Sequence, residues 1–317
     1  MLNSARWLIC RAFRRLMKSM ANPRYGKRIT IMQFGRLGVW CSTDRLDAAA
    51  LRALLNRVED LGYGSFWYPE SRGYESMALA GFLLANSKKL VIGSSIANIY
   101  ARDAFTARRG LATLNALHEG RFALGLGVSH IPMVEGLRGH RYEKPIPAMR
   151  AYLDGLRKAG GDALEGPVLL AALGPKMLAL SGSAADGAVP YNVTPEHTAQ
   201  AAAILGAGKV LAVEQKVCIE TDPVRARVLG RRELARYMAL PNYVNNWLRL
   251  GFSEAELANG GSDRFIDAMV LHGDAASVKA GLRAHFTAGA THVCIQPVTE
   301  DGDTAHRDAM LAALADT

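Results

Sequence analysis

Between residues 29 and 317 the chain repeats one unit eight times: a short apolar run of strand length, then a longer stretch whose apolar residues recur at helical spacing. The runs fall at 29–40, 65–68, 90–96, 121–127, 168–173, 187–191, 215–219 and 292–297, the first ending near Gly38-Val39-Trp40. Helix starts and stops punctuate the intervals. Thr43 is placed to cap a helix that carries Leu46, Ala50, Leu54, Val58 and Leu61 on one face, with Gly62 as its stop. Asp103 and Asp274 stand at later starts. Thr194-Pro195 and Asp222-Pro223 each pair a cap with proline at the first helical position, and Ser253 with Glu256 makes a capping-box pattern.

Strands that alternate with helices pair in parallel, because each return crossing needs the length of a helix. Eight such units predict an α/β fold in the form of a closed (β/α)8 TIM barrel rather than an open sheet. The unbroken rhythm predicts a single domain over 29–317. The stretch 229–267, between the seventh and eighth strands, predicts a helical insertion, and barrel insertions commonly cover the active mouth.

The net charge of +9 points to nucleic acid until its distribution is considered. Nine of the 38 Lys and Arg precede Asp44, the first acidic residue, and the other 29 match the 29 Asp and Glu. The excess belongs to an N-terminal arm, which leaves the body without the basic face that a nucleic-acid partner requires. Within residues 1–28, Ile9, Phe13, Leu16, Met17 and Met20 share one helical face, and Arg11, Arg14, Arg15 and Lys18 the other. Three readings stand for this basic amphipathic arm: a helix lying on an anionic membrane, an organelle targeting peptide, or a start codon placed too early, with Met20 as the true start and residues 1–19 not native. Membrane contact is expected only through it. No apolar run approaches the ~18 residues of a membrane span. Cys10, Cys41, Cys218 and Cys294 contain no CxxC pair, so reduced thiols and a cytoplasmic location are expected, and scattered histidines without HExxH predict no metal site.

Several segments resemble the luciferase-like monooxygenase family, and within it the branch of coenzyme F420-dependent oxidoreductases. They are LLNRVEDLGYGSFWYPE from Leu54, LVIGSSIANIYARD from Leu90, LNALHEGRFALGLGVSH from Leu114, AALGPKML from Ala171 and AGATHVCIQ from Ala288. The third resembles the family's most recognisable segment, a Leu-x-x-x-Ser-x-Gly-Arg-Phe-x-Leu-Gly-x-Gly pattern. His118 and Glu119 depart from it, where many members have serine and glycine. Val128 is not the arginine that some flavin-mononucleotide (FMN) members place after strand four, which favours the deazaflavin. The resemblance implies a bacterial-luciferase-like barrel that transfers hydride between F420 and a small-molecule substrate. Alternatives are a reduced-FMN monooxygenase and a non-catalytic flavin- or deazaflavin-binding barrel. A homodimer is common in families of this kind.

In a (β/α)8 barrel the active site lies at the C-terminal ends of the strands. Glu70 follows strand two, where the resemblance implies a catalytic or cofactor-facing group; a carboxylate there can act as general acid or base, and a solvated loop glutamate is the plain alternative. Ser95 and Ile96 align with a family bulge containing a cis peptide that supports the middle of the flavin ring, with Asn98 beyond it to bond a ring edge. Gly125, Gly127, Ser129 and His130 close strand four; the glycines let backbone approach a flat ring, and His130 is the proton-donor candidate because histidine titrates near neutrality. Ala172, Leu173, Gly174 and Lys176 join strand five to its helix, where N–H groups and a lysine suit the cofactor phosphate. Asn245, Asn246 and Trp247 in the insertion are candidates for substrate contact.

Overall fold

The computed structural model describes residues 34–161 and 164–317; the N-terminal arm lies outside the described residues. The strands are β1 (Leu37–Trp40), β2 (Ser65–Tyr68), β3 (Val91–Ser94), its two-residue continuation β4 (Ala97–Asn98), β5 (Phe122–Gly127), β6 (Val168–Leu170), β7 (Gly187–Ala188), β8 (Val210–Ile219), β9 (Val270–Gly273) and β10 (His292–Pro297). They pair in parallel in the order β10-β1-β2-β3-β5-β6-β7-β8, and β8 pairs back with β10 from His292↔Ala212 to Pro297↔Val217, which closes the ring. The eight expected strands are therefore those of a closed (β/α)8 barrel.

Strands of this barrel are buried on both faces, so they carry little polar alternation. In β2 all four residues of SFWY are buried. Phe66 and Tyr68 point outward into the layer shared with the helices. Trp67 points inward, into a cluster with Phe34, Ala123, Leu169, Ala212 and Cys294. The indole needs room: a Cβ on Gly93 of the adjacent strand would lie 2.3 Å from Trp67 Cε3. Below it His292 bonds the Ser65 hydroxyl at 2.8 Å and the Gly35 carbonyl at 2.9 Å. Aromatic and imidazole groups thus plug the N-terminal end of the barrel.

The helices are α1 (Ala48–Asp60), α2 (Ser76–Ala85), α3 (Ala104–Leu117), α4 (Pro145–Lys158), α5 (Pro175–Ala184), α6 (Pro195–Leu205), α7 (Pro223–Leu234), α8 (Pro241–Arg249), α9 (Glu254–Leu257), α10 (Asp263–Met269), α11 (Ala275–Thr287) and α12 (Thr304–Leu314). Asp103, Thr194, Asp222 and Asp274 cap their helices, and the Ser253–Glu256 capping box is complete. The first cap is a correction. Asp47, not Thr43, accepts the Ala50 N–H at 2.8 Å and opens α1, because the chain needs several residues to turn over the strand end before it can run back. Glu119 adopts φ 57°, left-handed backbone in which glycine is unstrained.

The insertion holds α8, α9 and α10 but is followed by a strand that the sequence pattern does not announce. β9 extends the barrel wall beside the C-terminal half of β8, from Lys216↔Val270 to Ile219↔Gly273. β8 also starts earlier than expected and runs for 10 residues. The insertion has its own apolar core, in which Trp247, Phe252, Phe265, Ile266 and Met269 pack against Cys218 and Val298. Its anchor is Trp247, fully buried, whose indole N–H donates to the Asn192 carbonyl at 3.1 Å. An aromatic side chain of this size contributes strongly through buried area, and its N–H is satisfied. The insertion is thereby fixed over the β7–β8 side of the mouth.

Candidate active site

The mouth is shaped first by a bulge between β3 and β4. β3 pairs β5 as Gly93↔Ala123, whereas β4 pairs it as Ala97↔Leu126, so the β3 side carries one extra residue. The Ser95–Ile96 peptide within the bulge is cis, the geometry implied by the resemblance. Ser94 repairs the interrupted ladder: its hydroxyl donates to the Gly125 carbonyl at 2.9 Å and accepts the Gly125 N–H at 3.0 Å. Ser95 and Ile96 are half-buried and open to the mouth, while Ala97 and Asn98 are buried. What approaches Gly125 and Gly127 is the bulge itself. A Cβ on Gly125 would lie 2.0 Å from the Ser94 carbonyl oxygen, and one on Gly127 2.4 Å from Ile96 Cγ1. These glycines seat the bulge rather than leave open space for a ring.

Glu70 lies beside the bulge with only 3% of its side chain exposed. Its N–H donates to the Ile96 carbonyl at 3.2 Å, and its carboxylate accepts the Asn98 N–H at 2.7 Å. Both carboxylate oxygens also accept from the guanidinium of Arg102, which is 7% exposed and reaches on to Glu75. Glu70 therefore holds β4 from both sides, with no oxygen left unengaged. The Asn98 amide oxygen accepts the Tyr100 N–H at 2.9 Å and fixes the next turn.

At the end of β5 the chain turns through Ser129, at φ 56°, into a π-helical turn at Pro132–Gly136. His130 stands at this corner, half-buried, with its ring 5.9 Å from that of Tyr243 on α8. Burial lowers its pKa below the usual histidine value, and a hydrogen bond to the Asn242 side chain raises it in part. The insertion thus supplies both neighbours of this imidazole.

On the same rim Gly174 is the N-cap of α5, with Pro175 at the first helical position and no side chain capping it. Ala172 is buried, Leu173 is half-buried with its carbonyl bonded to His197 Nε2 at 2.8 Å, and Lys176 is exposed. A cation that sequence reasoning missed stands closest. Arg249 Nη2 lies 3.5 Å from where a Gly174 Cβ would be, and it donates to Asn246 Oδ1 at 3.0 Å. The Asn246 amide nitrogen is buried without a partner. Trp247 packs inside the insertion, so its expected place against substrate gives way to an anchoring role; Asn245 is exposed.

Inside the barrel β8 turns a buried ion pair toward β7 and β10. Lys216 Nζ donates to Asn192 Oδ1 at 2.6 Å, Glu214 Oε1 at 3.1 Å and Gln296 Oε1 at 3.5 Å, and lies 4.0 Å above the Tyr191 ring. Burial pushes the lysine down and the glutamate up, and each opposes the other's shift. Tyr191 continues the network outward, through Tyr237 at 2.8 Å and through Gln296 to Glu233 of α7. These residues lie in separate units of the repeat, and nothing local in the sequence marks them.

The luciferase-like monooxygenase family profile matches residues 28–292. Among curated proteins, the chain is 28% identical over 194 residues to one named as a coenzyme F420-dependent oxidoreductase in Mycobacterium tuberculosis, covering 50% of this chain and 55% of that one. It is 27% identical over 151 residues to the 5,10-methylenetetrahydromethanopterin reductase of Methanolobus tindarius, covering 41% and 46%. The matched stretch thus spans about half the length of these relatives. Among solved structures, the F420-dependent tetrahydromethanopterin reductase of Methanopyrus kandleri superposes with a TM-score of 0.65 at 16% identity, covering 88% of this chain and 97% of that one. The oxygenating component of 3,6-diketocamphane monooxygenase from Pseudomonas putida, in complex with FMN, gives 0.66 at 14%, covering 88% and 96%. At these identities the superpositions bear on the fold alone. With the profile spanning most of the barrel, the chain belongs to the luciferase-like monooxygenase family.

Proposed function

We propose that the chain is an oxidoreductase that transfers hydride between coenzyme F420 and a small organic substrate at the mouth of the barrel. The observation that carries this reading is the half-buried bulge at Ser95 and Ile96, braced by Glu70 and Ser94 on the same rim as His130 and the uncapped start of α5. The residues present fit such a cofactor. The bulge offers a flat peptide surface. The α5 N-terminus offers N–H groups beside Lys176 and Arg249, with the unpartnered Asn246 amide nearby.

When bound, a deazaflavin supplies the hydride chemistry, and the protein orients it and manages protons. Ser95 and Ile96 support the ring, and Asn98, Gly125, Gly127 and Ser129 hold that support in place. Ala172, Leu173, Gly174, Lys176 and Arg249 hold the phosphate. His130 is the catalytic acid–base group; it keeps or releases a proton at the imidazole nitrogen not engaged by Asn242. Glu70 positions the bulge through Arg102 and the Asn98 N–H. The Tyr191–Gln296–Glu233 network ties the end of β7 and β10 to α7 under the insertion.

The second reading is a reduced-FMN monooxygenase, favoured by the FMN-bound relative of the same fold. Deazaflavins react poorly with oxygen, so oxygen uptake separates the two. The full chain with reduced F420 is expected to consume none. Rapid uptake with reduced FMN, accompanied by oxygenation of an added ketone, would put the monooxygenase reading first.

A further inference from the structure

A cleft of about 450 Å³ opens next to the bulge, between the loop after β2 and the segment after the π-helical turn. Arg72, Arg138 and His140 line it, together with Tyr100, Ala101 and Leu137. Of the site residues expected from the sequence, Glu70 alone belongs to its wall, and the proposed hydride transfer leaves the cleft without a role.

Its charge is unbalanced in a specific way. The two carboxylates on its wall, Glu70 and Glu75, are both taken by Arg102, and each also caps backbone N–H groups, at Asn98 and Ala78. Asp44, behind the loop, accepts the Arg72 backbone N–H at 3.2 Å. Glu135 accepts the Tyr142 N–H at 3.0 Å. Among the described residues Arg72 and Arg138 have no carboxylate partner, and Arg138 Nε is buried without any hydrogen-bond partner. The guanidinium charges of Arg72 and Arg138 are thus not neutralised by any carboxylate among the described residues, and an incoming anion can pair with them. Apolar surface lies beside these cations: Leu137, next to Arg138 in the chain, is 53% exposed, and Tyr100 stacks on Tyr142 at 5.9 Å. A cleft with a cation on each of its two bounding segments and apolar surface among them fits an organic acid, with its carboxylate or phosphate on the guanidinium groups and its carbon body on Leu137 and Tyr100.

We infer that this cleft is an anion-recognition site that receives a carboxylate or phosphate carried by one of the two reactants. The inference deepens the proposed oxidoreductase reading and rests on it for the identity of the reactants. It also gives the loop after β2 a link to the ring site, because Glu70 is shared between the cleft wall and the bulge.

The test is calorimetric titration of the full chain with citrate at low ionic strength, for the wild type, for R72Q/R138Q and for K176Q, with thermal unfolding to confirm that each is folded. Wild type and K176Q are expected to bind citrate, and R72Q/R138Q to bind it roughly tenfold or more weakly, because two charge-assisted contacts are lost. Repeating the titration with saturating F420 separates the sources. Exclusion of citrate assigns the cleft to an acidic group of the cofactor, and unchanged binding assigns it to an acidic substrate. Citrate that does not bind the wild type, or binds the folded double variant equally well, overturns the inference. Failure of F420 to bind the wild type would instead count against the oxidoreductase reading, while the citrate result would still report on the cleft.

Discussion

The Ser94 hydroxyl grips both backbone groups of Gly125, donating to its carbonyl at 2.9 Å and accepting its N–H at 3.0 Å. One side chain thus stands in for the rung that the bulge removes from the β3–β5 ladder. The peptide surface at the mouth depends on that repair and on the missing side chain at residue 125.

Gly125→Ala is therefore expected to displace the bulge, because its Cβ would lie 2.0 Å from the Ser94 carbonyl oxygen. Overpacking of this kind costs about 1–3 kcal/mol. Thermal unfolding should register that loss, and cofactor affinity should fall with it. A variant as stable as the wild type with unchanged affinity would show that the bulge does not support the ring.

Glu70 bears on the same surface through Arg102. Glu70→Gln keeps the shape but leaves the guanidinium with Glu75 alone, and loss of the charge-assisted bonds should cost about 2–3 kcal/mol. The expected kinetic signature is weaker cofactor binding with the pH dependence of turnover unmoved. Disappearance of one limb of the pH profile at full stability would make Glu70 the acid–base group after all.

His130 should carry the pH dependence of turnover. Its pKa lies below the usual histidine value because of burial, with the Asn242 hydrogen bond pulling it upward. Removing that bond in Asn242→Ala moves the pKa further down. The limb of the pH–rate profile assigned to His130 should then shift to lower pH, and His130→Gln should remove it. A profile identical in all three proteins would take His130 out of the chemistry.

His285 and His292 make a prediction about stability. Both are buried with both ring nitrogens bonded, and burial lowers the pKa of each from 6.5 to about 4. Between those values the unfolded chain binds protons that the folded chain excludes. Their contribution is complete above about pH 6.5 and is lost as pH falls toward 4, at up to about 1.4 kcal/mol per pH unit for each histidine. Denaturant unfolding at pH 7, 6 and 5 should show a shallower acid loss for His292→Gln than for the wild type. Parallel losses would mean that His292 already titrates normally in the folded protein.

Much of the barrel was legible because its signals are local. A cap and the helix it opens are neighbours in sequence, so Asp103, Thr194, Asp222, Ser253 and Asp274 announce their helices. Asp47 escaped because Thr43, also a capping residue type, comes first. β9 escaped because Val270–Gly273 is four residues long and takes its definition from β8. The site was legible only where a resemblance covered it. Arg249 beside Gly174, Asn242 beside His130 and Lys216 over the Tyr191 ring join residues distant in the chain. No periodicity encodes such meetings; the closed ring and the docked insertion create them.

Whether the mouth holds a deazaflavin, as proposed, is read by a fluorescence titration of the full chain with F420 and, separately, with FMN. Saturable binding of F420 in the micromolar range is expected, weakened by Gly125→Ala and by Arg249→Gln, with FMN bound more weakly. Selective binding of FMN would contradict the choice of cofactor, and binding of neither would contradict the assignment of the site.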